Sequence, residues 1–108
     1  MIDTNQPISA DNLFTDKQMR AFLTNGFVVI KPDLPRSLHD TIYQKLDQAV
    51  EVDGNPGNNL LPRVPEIQEV YDHLTVRGAL TSVIGPNYMM HPHRHPHTNR
   101  PGSSGGGW

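Results

Sequence analysis

The stretch Thr15-Asp16-Lys17-Gln18-Met19-Arg20-Ala21-Phe22-Leu23-Thr24-Asn25-Gly26-Phe27-Val28-Val29-Ile30 holds a helix start, a helix stop and an apolar run in direct succession. Thr15 has the chemistry of an N-cap, and Gln18 completes a capping box in which each side chain serves the other residue's backbone N–H. Met19, Phe22 and Leu23 follow at i, i+3 and i+4, which predicts an amphipathic helix of about ten residues. Asn25-Gly26 supplies a left-handed stop. Phe27–Ile30 is aromatic and β-branched, lies between Gly26 and Pro32, and predicts a buried strand.

Further along, Ser37 is the expected cap of a second helix, with Asp40 in its first turn. Leu38, Ile42, Leu46, Ala49 and Val50 form a stripe at helical spacing that runs to about Val52. Residues 53–59 are dense turn chemistry and predict a loop. The prolines of Leu60-Leu61-Pro62-Arg63-Val64-Pro65 keep that stretch out of helix. A third helix is predicted from Pro65 with Ile67, Val70, Tyr71 and Leu74. A fourth follows Thr75 with Val76, Leu80, Val83 and Ile84, stopped by Gly85-Pro86. Tyr88 to His97 carries two prolines and predicts an extended segment.

These readings give an α+β class and one incomplete domain over 1–108. Residues 1–12 form a loose lead-in, 13–84 a helical layer with one strand, and 85–108 a strand followed by a glycine-rich loop. A single strand cannot pair its own backbone groups, and an isolated strand pair is marginal. Most of the sheet to which 27–30 and 88–97 should belong is missing from this sequence, so the expectation is an unfinished chain.

Composition narrows the function classes. The chain has 108 residues, 35% hydrophobic, with 9 glycines, 10 prolines and no cysteine. A disulfide framework and a thiolate zinc site are excluded, and a cytoplasmic location is the default expectation. The polar, acidic opening is unlike a signal peptide. The longest apolar run, Phe27–Ile30, is far too short to span a membrane. Net charge is −2, and the stretch from Gly85 onward carries two arginines, four histidines and no carboxylate. Two arginines do not make a nucleic-acid footprint. The expected partner is a small molecule, with neither nucleic acid nor membrane.

His91, His93, His95 and His97 are four of the six histidines. In an extended chain alternate residues share a face about 6.6 Å apart, at roughly 3.3 Å per residue. A His-x-His pair can therefore aim two imidazoles at one metal ion. Four in a row exceed a single site, so a cleft-lining polar face stands beside the metal reading. Asn58, Asn59 and Arg63 could hold a carboxylate, although a surface arginine on an ordinary loop explains them as well. Tyr88, Met89 and Met90 are expected in the core. The glycine run 105–107 lacks the lysine of a phosphate cradle. Ser103 and Ser104 near the histidines have no fixed geometry for a nucleophile–base pair.

Several of these segments resemble the phytanoyl-CoA dioxygenase family. The run Thr15-Asp16-Lys17-Gln18 through Asn25-Gly26-Phe27-Val28-Val29-Ile30 looks like its opening helix, turn and first strand. Arg77-Gly78-Ala79-Leu80 and Ile84-Gly85-Pro86-Asn87-Tyr88 are similar to its helix and Gly-Pro turn. His91 to His97, Asn99-Arg100-Pro101-Gly102 and Trp108 resemble the stretch just before its iron motif. The resemblance covers roughly residues 13–108. It implies a double-stranded β-helix and an oxygenase in which two histidines and one carboxylate hold Fe(II) beside 2-oxoglutarate. The family's His-x-Asp and its distal histidine would lie after Trp108, so no iron ligand is assigned to any residue here. The chain is expected to be the N-terminal part of such an enzyme, which hydroxylates a small organic or acyl substrate. By itself this part should be inactive and bind neither Fe(II) nor 2-oxoglutarate with native geometry. The alternative is a non-enzymatic His-rich metal-binding or interaction module.

Overall fold

The computed structural model describes residues 6–99, 101 and 102. Of these, 58% are helical and none forms a strand or sheet. The α+β expectation is therefore corrected: the described part belongs to the all-α class. Five α-helices follow in chain order: α1 (Asp16–Asn25), α2 (Arg36–Asp53), α3 (Leu60–Arg63), α4 (Glu66–Asp72) and α5 (Leu74–Ile84). A 3₁₀ turn, Ala10–Asn12, precedes them, and a second, Gly57–Asn59, leads into α3. The chain forms two compact units. One contains the residues up to Leu34 together with Gln68–Met90, and the other contains Pro35–Ile67 together with the chain from His91 onward.

In the first unit, α1 starts and stops where its local chemistry dictates. The Thr15 hydroxyl accepts from the Gln18 N–H at 3.1 Å, and the Thr15 N–H donates to Gln18 Oε1 at 2.9 Å. Gly26 closes the helix in the left-handed region at φ 81°, its N–H bonded to the Phe22 carbonyl. Met19 and Phe22 are half-buried, but Leu23 is exposed, so the apolar face is narrower than its spacing predicts.

Phe27–Ile30 is extended without pairing. Among the described residues no hydrogen bond reaches its backbone, and Phe27 and Val29 are 64% and 71% exposed. Val28 and Ile30 are half-buried. The β-branched run thus has strand-like alternation but no pairing neighbour among the described residues, which is why the expected buried strand is absent from them. An apolar groove of about 310 Å³ lies along this segment, with Phe14, Phe22, Val28, Leu80 and Val83 among its walls.

The 3₁₀ turn packs on α5 by close backbone approach. A Cβ at Gly78 would stand 1.9 Å from the Asn12 carbonyl oxygen, so only glycine fits there. Ser82 Oγ accepts from the Phe14 N–H and donates to the Gly78 carbonyl, both at 2.9 Å. The cap of α5 is His73: Nδ1 accepts from the Thr75 N–H at 3.1 Å, and Nε2 lies 3.2 Å from the Asp33 carbonyl. With Nδ1 an acceptor, Nε2 holds the proton and donates. Met89 is 93% exposed and Met90 38% exposed. The expected core role for this pair is therefore corrected, while Tyr88 is half-buried.

In the second unit, the stripe on α2 is confirmed at its ends. Leu38 and Ala49 are buried, and Ile42, Leu46 and Val50 are half-buried. Leu60 and Val64 complete this small core, with Val64 fully enclosed. The helix begins at Arg36 on an N-cap of Pro35 rather than at Ser37. Leu60–Arg63 is helical despite Pro62, which corrects the expectation that the prolines keep 60–65 out of helix. Pro62 falls in the first turn, where a missing N–H removes no intrahelical bond.

Candidate functional site

The sequence-predicted candidates lie on the chain after α5. From His91 to Asn99 the backbone follows no helix and pairs with no strand. Alternation nevertheless sets the imidazoles in a row. Ring centroids are 6.1 Å apart for His91 and His93, 5.8 Å for His93 and His95, and 4.7 Å for His95 and His97. The spacing tightens along the row, and the middle pair is stacked nearly parallel, at 4°. His95 is half-buried and its three companions are exposed.

Two hydrogen bonds fix proton positions within this row. The His93 N–H donates to His91 Nδ1 at 3.1 Å, so His91 carries its proton on Nε2. The Gly57 N–H donates to Asn55 Oδ1 at 2.9 Å, which turns the Asn55 amide nitrogen towards His95 Nε2 at 3.2 Å. That nitrogen can only donate, so His95 Nε2 accepts and its proton sits on Nδ1. Arg94 Nη1 turns back to the carbonyls of His91 and His93.

Arg63 does not join Asn59 to make a carboxylate receptor. Its guanidinium is paired with Asp53 of the same unit, and the side chain of Asn58 lies outside the described residues. The phosphate-cradle candidate at 105–107, the serines 103 and 104, and Arg100 and Trp108 of the family-like stretch also lie outside them.

One charged pair shifts a titration. Lys45 Nζ lies 2.8 and 2.6 Å from the two carboxylate oxygens of Glu66. The hydrogen bond from Lys45 is the main cause that holds the Glu66 carboxyl below its ordinary value. A backbone hydrogen bond assists it, and partial desolvation opposes it.

Sequence reasoning missed a polar pocket of about 350 Å³ in the first unit, lined by Gln68, Tyr71, Asp72, Arg77, Thr81 and Tyr88 among others. Gln68 Nε2 donates to Asp72 Oδ1 at 3.0 Å, and Arg77 Nη1 donates to the Gln6 carbonyl at 2.6 Å. The available signal was the i, i+4 spacing of Gln68 with Asp72 and of Arg77 with Thr81, on two consecutive helices.

The iron and 2-oxoglutarate implied by the family resemblance do not fit these residues. A facial triad needs a carboxylate beside two histidines, and no Asp or Glu follows Asp72. Among the described residues no three His, Asp or Glu side chains converge to hold an ion. No helix among them is long and apolar enough to cross a membrane. No family model matches this chain, and neither does any curated protein or solved structure compared with it.

Proposed function

We propose that this chain is the helical N-terminal part of a non-haem Fe(II)/2-oxoglutarate-dependent dioxygenase resembling the phytanoyl-CoA dioxygenase family. The parent enzyme hydroxylates a small organic or acyl substrate, and these residues contribute no iron ligand. The observation that supports this reading most is the junction at Gly26. A capped helix ends there in a left-handed glycine and runs directly into an apolar extended segment with exposed Phe27 and Val29. The resemblance predicts this helix and this Asn-Gly turn, whereas the strand it places next is not formed among the described residues. The exposed apolar side chains call for cover that the described residues do not supply.

The test is to sequence the native transcript across and beyond the codon for Trp108. A reading frame that continues into His-x-Asp and a later histidine is the expected result. A stop codon directly after Trp108 rules out this catalysis for the product and overturns the proposal.

A further inference from the structure

We propose that His95 and His97 form a two-imidazole chelate for a borderline-soft divalent cation such as Zn²⁺, independent of the oxygenase reading. The sequence offers two identical candidates, His91-Pro92-His93 and His95-Pro96-His97. In both, proline fixes its own φ and restricts the residue before it, so each pair is held with few accessible arrangements. Composition cannot rank the two pairs, but geometry does.

A zinc–imidazole bond of about 2.0–2.1 Å places the ring centroid about 3.2 Å from the ion. Two rings on one ion then stand about 4.5 Å apart at a right angle and about 5.2 Å apart at the tetrahedral angle. The His95–His97 separation of 4.7 Å falls inside that interval, with the rings tilted by 41°. His91 and His93 are too far apart at 6.1 Å. His93 and His95, at 5.8 Å and 4° from parallel, cannot both turn a nitrogen towards one point without rotating. The cation would complete its coordination with water, since among the described residues no carboxylate joins the pair.

Asn55 opposes the chelate. Its amide nitrogen occupies the His95 Nε2 lone pair, and the Gly57 N–H holds the amide in that orientation. Coordination through Nε2 must displace Asn55. Coordination through Nδ1 would move the ring proton to Nε2 and set two donors against each other. Either route breaks a hydrogen bond between partly exposed groups worth about 1 kcal/mol, which corresponds to about fivefold in affinity.

The experiment is a calorimetric titration of the 108-residue chain with Zn²⁺ at neutral pH, with helix content checked by circular dichroism. Saturable one-to-one binding is expected. His95→Ala and His97→Ala should each weaken it at least tenfold, and His91→Ala and His93→Ala twofold or less. Asn55→Ala should tighten it about fivefold, in line with the hydrogen bond removed. His97 is exposed, so its substitution tests the pair even where the His95 variant loses structure. Equal losses across the four histidines, larger losses at His91 and His93, or no saturable binding would overturn the proposal. Weaker binding by Asn55→Ala would overturn the displacement of the amide.

Discussion

Gly78 lies on the face of α5 against which the Asn12 carbonyl rests, and a methyl group there would stand 1.9 Å from that oxygen. Alanine is a better helix former than glycine by about 1 kcal/mol, yet the obstructing atom belongs to backbone and cannot rotate away. Overpacking of this kind costs about 1–3 kcal/mol or more, so the clash outweighs the propensity gain. Gly78→Ala should lower the free energy of unfolding by about 2 kcal/mol, read from urea denaturation. Glu66 gives a pH dependence with a definite sign. Its folded carboxyl titrates below the ordinary value of 4.5, so the Lys45 interaction is fully present above that value. It is lost as pH falls from there through the lowered one. Lys45→Met should flatten this acid limb in a pH series of thermal melts. Neither residue was marked by its sequence: Gly78 sits in an ordinary helical pattern, and Lys45 and Glu66 are 21 positions apart.

The helices divide into those that local chemistry specifies and those that it does not. For α1, Thr15, Gln18 and Gly26 are all within one or two turns of the structure they determine, so both ends are legible in the sequence. Thr15→Ala should cost about 1 kcal/mol, because the Gln18 N–H loses its acceptor; chemical denaturation checks this. The short helix α3 was hidden because Pro62 reads as a breaker unless its place in the first turn is known. Phe27–Ile30 failed for a different reason: its composition favours a strand, but a strand exists only through a partner, which no local pattern encodes. The histidine row falls between these cases. Alternation was readable, whereas the ranking of the pairs depends on ring separations that no spacing encodes, and the amide that opposes the chosen pair lies 40 positions from His95.

At the scale of the whole chain, apolar burial is sparse. The buried apolar side chains among the described residues are Leu38, Ala49, Leu60, Val64 and Ala79, while Leu23, Phe27, Val29, Tyr43, Val52, Ile84 and Met89 are each more than 60% exposed. Surface substitutions away from specific contacts change stability by about 0.5 kcal/mol or less. Joint replacement of Phe27 and Val29 by threonine should therefore leave the melting temperature nearly unchanged. The same variant should reduce binding of a hydrophobic fluorescent dye, and a substantial fall in stability would contradict the observed exposure. The unpaired backbone of this segment has a kinetic counterpart. Amide protons in helices exchange with solvent deuterium only when the helix opens, but those of Phe27–Ile30 have no such bond to break among the described residues. They should take up deuterium at nearly the rate of a free peptide, between slowly exchanging stretches in α1 and α2. Apolar runs are ordinarily the last part of a protein to exchange; in this chain the most hydrophobic one should be among the first.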